Sequence, residues 1–211
     1  MERLIANTTT NKSKTTGICL IAASNGNHMN AALFGSDPNN RVNILTRRPE
    51  IFKGKSISAD FLDGREPLVG KVNVVTSCPR TAADGCSIFI LSCPVNAQEL
   101  LLRQIKPFVP ENSFIGSIFG QGNFDMVASH VFADDIESKK LTIFSLFNIP
   151  FTVITTSPGS RVLHQSQKKY TRVCCLPFSR ISEVNSMCEY LWRVPCHNLS
   201  SFLETTLTPG N

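Results

Sequence analysis

The chain has 211 residues, of which 42% are hydrophobic and 18% are charged. This length and composition supply the core of one globular domain and exclude a disordered chain. No run approaches eighteen consecutive apolar residues, so no membrane-spanning helix is predicted. The net charge of +5 suits an anionic ligand, but the basic residues form no stripe with interleaved aromatic residues, which argues against nucleic-acid binding.

The first 16 residues are polar and show no periodicity, which predicts a flexible N-terminal tail (residues 1–16) before one domain (residues 17–211). No apolar segment typical of a secretory signal follows the tail, so a cytoplasmic protein is expected. The eight cysteines are expected to be reduced and mostly buried as small apolar residues. They form no Cys-x-x-Cys pair and no Cys/His cluster, so no metal site is predicted.

Apolar runs alternate with helical patterns along the chain, and this order predicts a parallel sheet covered by helices on both faces. The predicted strands cover residues 17–22, 41–46, 71–76, 87–92, 113–118, 141–147 and 151–155. Two more strands, over 161–165 and 171–175, are predicted to pair as an antiparallel ribbon. Helices are expected over 26–35, 96–105 and 182–192, the last with Ser182 as its N-cap. The predicted fold class is therefore α/β: a Rossmann-type three-layer α/β/α domain with a mostly parallel sheet and a C-terminal antiparallel strand-rich extension.

The segment after the first predicted strand occupies the place of a dinucleotide-binding loop, where a tight turn leads to a helix whose N-terminus binds pyrophosphate. The G-x-G-x-x-G pattern of such loops falls here on Ala22, Ser24 and Asn27. Ala22 places a Cβ in the tight turn, Ser24 places one where the backbone approaches the pyrophosphate, and Asn27 is expected to crowd the helix against the strand. Each misplaced Cβ costs on the order of 1–2 kcal/mol. Asn25 and Gly26 are permissive, and the Ser24 hydroxyl can donate to a phosphate. Weakened binding is therefore predicted, with a structural relic as the alternative.

About twenty residues further on, where an acidic residue would bind the ribose 2′-OH, the chain has Thr46, Arg47 and Arg48. Two adjacent guanidinium groups favour a 2′-phosphate and therefore NADP over NAD. The alternative is a solvated arginine pair at a strand end. The four histidines each stand alone, and no hydrolase or metalloprotease motif is present, so no catalytic residue is predicted.

Several segments, taken in their order along the chain, are shared with one enzyme family. They are residues 23–28 (ASNGNH), 44–49 (ILTRRP), 92–97 (SCPVNA), 119–125 (FGQGNFD), 147–151 (FNIPF) and 206–211 (TLTPGN). The chain thereby resembles the N-terminal Rossmann domain of the NAD/NADP octopine/nopaline (opine) dehydrogenase family. No single segment is specific, but the ordered set is.

This resemblance implies a domain that binds NADP or NAD, joined to a helical domain, in an oxidoreductase that reductively condenses an amino acid with a 2-keto acid. It also implies which residues face the nicotinamide: Ser92, Cys93, Pro94, Gln121 and Gly122. In the family a proton-transferring histidine follows shortly after the last shared segment, and an aspartate of the helical domain orients it. Because the sequence stops at Asn211, a truncated domain that is inactive alone is expected.

Two alternatives stay open at this point. One is a non-catalytic nucleotide-sensing or interaction protein with a degraded loop, and the other is a domain similar to glycerol-3-phosphate dehydrogenase or ketopantoate reductase. The absence of a helical partner would expose an apolar patch near Phe147, Phe151 and Phe202, which invites that partner or a second copy. The expected partners are a nicotinamide dinucleotide and such a domain, with neither nucleic acid nor membrane.

Overall fold

The computed structural model describes residues 15–120 and 123–206. Its strands are β1 (Thr16–Ile21), β2 (Asn40–Leu45), β3 (Ser56–Phe61), β4 (Leu68–Lys71), β5 (Val74–Thr76), β6 (Ile88–Leu91), β7 (Phe114–Ser117), β8 (Thr142–Leu146), β9 (Phe151–Ser157), β10 (Arg161–Gln167), β11 (Thr171–Leu176) and β12 (Cys196–Asn198). Its helices are α1 (Asn25–Gly35), α2 (Pro79–Ala83), α3 (Val95–Ile105), α4 (Phe124–Val131), α5 (Ala133–Ser138), α6 (Ile181–Trp192) and α7 (Leu203–Thr206). β1 begins at Thr16, so the final residue of the predicted tail is part of the sheet.

Eight strands form the main sheet in the order β12-β11-β8-β7-β6-β1-β2-β5. The six strands from β8 to β5 are all parallel, and their order is that of a Rossmann sheet, 3-2-1-4-5-6 when numbered among themselves. The strand order reverses at β1, between its neighbours β2 and β6. The predicted α/β class with a mostly parallel sheet is confirmed.

Alternate residues of the parallel strands enter two separate cores, one on each face of the sheet. Ile18 and Leu20 of β1 lie in a core that includes residues of α1 and α6. Cys19 and Ile21 lie in the other core, with residues of α2, α3 and α4. Because side chains alternate along a strand, a continuous apolar run such as that of β1 buries both of its faces.

A second sheet of four strands, in the order β4-β3-β10-β9, packs on the α1 face. β10 pairs in parallel with β3 and antiparallel with β9, while β11 joins the main sheet antiparallel to β8. The predicted ribbon of 161–165 with 171–175 is therefore wrong. Val162 of β10 and Val173 of β11 are both fully buried, because each strand lies between two neighbours, β10 in the four-stranded sheet and β11 in the main sheet.

The predicted strand over 71–76 is two strands in different sheets. The break lies at Val72 and Asn73, whose N–H groups donate to the carbonyls of Lys55 and Val42. β4 consequently pairs with β3 and β5 pairs with β2. Strand β3 and helices α4 and α5 were not predicted, because polar residues interrupt their apolar ones.

The predicted N-cap of the last long helix is also wrong. α6 begins at Ile181 with Arg180 at its N-cap position, and Ser182 lies inside the helix. The Arg180 guanidinium instead forms an ion pair with Glu183 at 2.8 Å. A charge pair in the first turn therefore takes the place of the expected hydroxyl cap.

The predicted apolar patch is not formed. Phe151 is only 3% exposed, because it packs in the core between the two sheets. Phe202 packs against the core on the opposite face, and the Arg172 guanidinium covers the ring of Phe147, 3.7 Å from its centre. All eight cysteines are free and six are buried, as expected. None of the described helices has the length and apolar character needed to cross a membrane.

Candidate nucleotide-binding site

The candidate site lies where the carboxyl ends of the parallel strands meet. α1 begins four residues after β1, and α3 begins four residues after β6. β1 and β6 are neighbours on opposite sides of the point where the strand order reverses. Open α/β sheets bind ligands in the crevice at such a switch point. The fold therefore places the loop between β1 and α1 where a ligand is expected.

The turn after β1 has the shape that glycine usually provides. Ala22 has a φ of +75°, in the left-handed region that a Cβ disfavours. Its N–H donates to the Leu45 carbonyl at 2.9 Å. The side-chain amide of Asn27 donates to the carbonyls of Ile21 and Ala22, both at 2.8 Å. Asn27 was predicted to crowd the helix; it instead stabilises the turn, since it is buried and fully engaged.

A buried chain of hydrogen bonds extends from this turn to the other end of the sequence. Asn30 donates to the Oδ1 atom of Asn27 at 3.1 Å. The indole N–H of Trp192 donates to the Oδ1 atom of Asn30 at 3.0 Å. All three side chains are at most 1% exposed, so α6 stabilises the loop conformation. Sequence reasoning missed this chain; its only local signal is the unusual density of asparagines in α1.

Ser24 and Gly26 are both held by contacts within the protein at the start of α1. The Ser24 hydroxyl accepts the Asn27 N–H at 3.1 Å, which makes it the N-cap of α1, and it donates to the Ser92 hydroxyl at 2.6 Å. It is therefore already used within the protein rather than free to donate to a phosphate. At Gly26 a Cβ would lie 2.6 Å from Ile118 Cδ1 and 2.8 Å from Ser92 Oγ. Gly26 is therefore required by the packing of α1 against Ile118 and Ser92, which is a different constraint from the approach to pyrophosphate predicted at Ser24.

The backbone at the start of α1 can still bind an anion. The N–H groups of Asn25 and Gly26 belong to the first helical turn, which has no preceding carbonyl of the same helix to bond. The positive end of the helix dipole lies at the same point. Both residues line the cleft described below, so the N-terminal end of α1 borders it.

His28 is a structural residue of this loop. Its Nε2 atom accepts the Gly159 N–H at 2.9 Å, so the proton is on Nδ1, which donates to the Ser24 carbonyl at 2.8 Å. The ring stacks on Phe52 with 5.2 Å between centres. Burial lowers the pKa of His28 below its ordinary value, which favours the neutral ring. His28 thus connects the loop to the turn between β9 and β10.

The end of β2 carries the predicted cationic pair. Thr46 is buried, its N–H donates to the Thr76 carbonyl at 2.9 Å, and its hydroxyl accepts the Arg48 N–H at 3.3 Å. Arg47 and Arg48 are exposed. The Arg48 guanidinium lies 3.5 Å from Glu50, so an anion at this edge would compete with that carboxylate for Arg48.

Two adjoining clefts occupy the crevice and share Ser92, Ile118, Phe119 and Ile149. The inner cleft has a volume of about 310 Å³, and its remaining lining residues are Ser24, Cys93, Pro94, Val95, Gln98 and Ser117. The outer cleft has a volume of about 710 Å³, and its remaining lining residues are Asn25, Gly26, Phe147, Asn148, Phe151, Thr152, Val153, Lys168, Lys169, Tyr170 and Arg172.

The predicted site residues are thus divided among three places. Ser24, Ser92, Cys93 and Pro94 line the inner cleft, whereas Asn25 and Gly26 line the outer cleft. Ala22, Asn27, Thr46, Arg47 and Arg48 form the turn after β1 and the adjacent end of β2, outside both clefts. Gln121 and Gly122 lie outside the described residues. Burial raises the pKa of Cys93 to about 11, so this residue is a neutral thiol rather than a nucleophilic thiolate.

The outer cleft is cationic. Lys168, Lys169 and Arg172 line it, and its described lining residues include no aspartate or glutamate. Arg172 stacks on Phe147, and its Nε atom is buried without a hydrogen-bond partner among the described residues. None of these positions was predicted, because the polar stretch at 166–169 suggested only a hairpin turn.

No family model matches the chain. The uncharacterized protein y4xO of Sinorhizobium fredii is 26% identical over 205 residues, which cover 92% of this chain and 53% of that protein. Octopine dehydrogenase with NADH and L-arginine has a TM-score of 0.79 at 19% identity, covering 90% of this chain and 50% of its own. Yersinopine dehydrogenase with NADP⁺ has a TM-score of 0.71 at 9% identity, covering 90% and 48%.

A ketopantoate reductase of Ralstonia eutropha has a TM-score of 0.65 at 10% identity, covering 88% of this chain and 57% of its own. The chain therefore has the Rossmann-type fold found in octopine dehydrogenase and related dehydrogenases, and it spans about half the length of these proteins. The resemblance found in the sequence is confirmed at the level of the fold.

Proposed function

We propose that the chain is the nucleotide-binding domain of an oxidoreductase and that it binds NADP or NAD in the crevice at the end of β1. One observation carries the proposal: α1 begins at the point where the strand order reverses, and its first residues line an open cleft. The similar folds of octopine and yersinopine dehydrogenases, named with NADH and NADP⁺, support it.

The residues of the crevice fit a dinucleotide. The N–H groups of Asn25 and Gly26 would bind the pyrophosphate, because they lie at the positive end of α1 and lack intrahelical acceptors. A Cβ at Gly26 would collide with Ile118 Cδ1 and Ser92 Oγ, so a larger residue there would displace the start of α1 or the side chains beside it. Arg47 and Arg48, at the end of β2, would bind the 2′-phosphate of NADP. Bound there, the cofactor would supply or accept a hydride.

The inner cleft is the proposed place of the nicotinamide end. Ser92, Cys93 and Pro94 follow β6 directly and line this cleft. Ile118, Phe119 and Ile149 supply an apolar surface for a flat ring. The neutral thiol of Cys93 adds no charge there, which suits an uncharged dihydronicotinamide.

The cationic outer cleft supports acidic substrates, in keeping with an opine-dehydrogenase-like reaction that forms a CH–NH bond from an amino acid and a 2-keto acid. Lys168, Lys169 and Arg172 would attract the substrate carboxylates. The described residues that line the two clefts include no histidine, aspartate or glutamate. A second, helical domain over the outer cleft would therefore supply the proton-transferring group, and the chain alone would bind cofactor without turnover.

Calorimetric titration of the purified chain with NADPH and NADH tests the cofactor assignment. NADPH is expected to bind more tightly than NADH, because only NADPH carries the 2′-phosphate. Arg47→Ala should weaken NADPH binding about tenfold, equivalent to about 1.4 kcal/mol, and leave NADH binding unchanged. Arg103→Ala is the matched control, since Arg103 is exposed on α3 and pairs with Glu99.

An absence of heat with either dinucleotide at millimolar concentration would overturn the proposal. That result would favour the non-catalytic interaction protein, in which the sheet is kept and the nucleotide site is a relic. Binding of both dinucleotides with equal affinity, unaffected by Arg47→Ala, would keep the nucleotide site and refute the 2′-phosphate assignment.

A further inference from the structure

One buried amide in the crevice has an unsatisfied oxygen. Gln98 lies one turn into α3, is 3% exposed and lines the inner cleft. Its Oε1 atom is buried and has no hydrogen-bond partner among the described residues. The buried amides of Asn27, Asn30 and Asn43 are all bonded. Because buried polar atoms are nearly always paired, a lone acceptor in a cleft indicates a missing donor.

The hydroxyl groups around Gln98 do not supply this donor. The Ser24 hydroxyl donates to Ser92, and the Ser117 hydroxyl donates to the Phe119 carbonyl at 2.8 Å. The Ser92 hydroxyl and the Cys93 thiol also line the cleft, but neither bonds to Gln98 Oε1. The other groups that line the inner cleft are largely apolar: Pro94, Val95, Ile118, Phe119 and Ile149. A ligand that complements this cleft therefore needs an apolar flat body and one N–H or O–H donor directed at α3.

The carboxamide of a nicotinamide ring has this combination. Its ring is flat and its NH₂ group is a donor, while its carbonyl can accept from the NH₂ group of a glutamine, so two primary amides can pair through two hydrogen bonds. The inner cleft adjoins the outer cleft at Ser92, beside Gly26. A dinucleotide with its pyrophosphate at α1 would therefore direct its nicotinamide end into the inner cleft.

We infer that Gln98 is a positioning residue that accepts a hydrogen bond from the nicotinamide carboxamide and orients the ring in the inner cleft. This inference rests on the proposed function. It identifies the Gln98 side chain as the group that recognises the nicotinamide end of the cofactor. Gln98 does not take part in hydride transfer. It determines which way the ring lies.

The test uses three probes: NADP⁺, its 3-acetylpyridine analogue, in which a methyl group replaces the carboxamide NH₂, and 2′-phospho-ADP-ribose, which lacks the ring. The full chain is expected to bind NADP⁺ about tenfold more tightly than the analogue, by calorimetry. Gln98→Met, an unbranched side chain of similar length without an acceptor, should bind both equally. The affinity for 2′-phospho-ADP-ribose should not change.

Gln104→Met is the matched control, since Gln104 is exposed on the same helix, and it should keep the tenfold ratio. The free Gln98→Met chain should also unfold at a higher temperature than the unmodified chain, because an unpaired buried acceptor is removed. A merely structural glutamine would give the opposite shift.

Equal affinity of the unmodified chain for NADP⁺ and the analogue would overturn the inference, even if the variant did not fold. So would an unchanged ratio in Gln98→Met, or a loss of 2′-phospho-ADP-ribose binding equal to the loss of NADP⁺ binding. Binding of 2′-phospho-ADP-ribose without ring discrimination would refute the role of Gln98 alone. If none of the probes binds, the proposed function fails and this inference fails with it.

Discussion

Ala22 is the residue at which the sequence departs most clearly from the loop it forms. Its φ of +75° is maintained by hydrogen bonds at both its N–H and its carbonyl, so the backbone has little freedom to relax. We predict that Ala22→Gly stabilises the chain, because glycine adopts this conformation without a Cβ penalty.

The magnitude follows from two opposing terms. An L-residue in the left-handed region costs about 1–2 kcal/mol, and replacing it with glycine removes that cost. Glycine also increases the entropy of the unfolded chain, which offsets about 0.4–1 kcal/mol. The net gain is about 1 kcal/mol, and for a chain of this size it corresponds to a rise in Tm of about 2–4 °C.

The assay is denaturant unfolding followed by circular dichroism, with Ala23→Gly as the matched control. Ala23 is not among the described residues with positive φ, so its replacement should lower the free energy of unfolding by about 0.4–1 kcal/mol. The turn already has this strained conformation without a ligand, so relieving the strain is expected to stabilise the free and the bound chain alike. Ala22→Gly should therefore leave the NADPH affinity nearly unchanged, although the sequence pattern predicted that an alanine at this position weakens binding.

Ala22 is not strained if Ala22→Gly is no more stable than the unmodified chain while Ala23→Gly behaves as expected. In that case the turn would be able to relax around the alanine Cβ, and the hydrogen bonds from Asn27 would not constrain it. An equal loss of stability in both variants would show that only the entropy of the unfolded chain responds.

Two further variants test the region around the loop. Burial lowers the pKa of His28, so below about pH 6.5 the unfolded chain binds more protons than the folded chain, and the free energy of unfolding falls by at most about 1.4 kcal/mol per pH unit. His28→Gln should make the free energy of unfolding less dependent on pH between 7.5 and 5.5, as measured by urea unfolding. His197→Gln, at an exposed position, is the control and should leave this dependence unchanged. Gly159 and Gly64 have nearly equal φ values, +76° and +78°, but a Cβ at Gly159 would lie 2.3 Å from the Ile51 carbonyl oxygen, whereas Gly64 is open. Gly64→Ala should cost about 1–2 kcal/mol and Gly159→Ala about 1–3 kcal/mol more; equal Tm values for the two would contradict the predicted clash.

The strand-to-loop positions of the candidate site were predictable from the sequence. Ser92, Cys93 and Pro94 follow a continuous apolar run, and such runs predict central parallel strands whose carboxyl ends lie at one edge of the sheet. The cationic pair at Arg47 and Arg48 was predictable for the same reason. The position of these residues at the carboxyl ends of strands depends only on local pattern and on the way parallel strands are arranged, whereas a place for Ser92, Cys93 and Pro94 at the nicotinamide is implied by the family resemblance.

The support behind those positions was not predictable, because it depends on residues far apart in the chain. Trp192 and Asn30 are separated by 162 residues and meet only through the packing of α6 against α1. The pairing of β10 and β11 was not predictable for the same reason, because the alternation of apolar and polar residues predicts two strands but not the sheet that each one joins. The lack of a hydrogen-bond donor for Gln98 Oε1 can be recognised only from the tertiary structure, because the donors around it come from distant parts of the chain.

Local apolar periodicity thus determines that this chain forms an α/β sheet with a loop and a helix at the end of β1, since burial of alternate residues requires nothing more than the pattern itself. Tertiary structure decides the conformation and the chemistry of that loop. Asn27 stabilises a turn that lacks its glycine, Gly26 lets α1 pack against Ile118 and Ser92, and Lys168, Lys169 and Arg172 make the adjoining cleft cationic. Hydrogen bonds and charges act over short distances in space, and only the folded chain brings these residues within those distances.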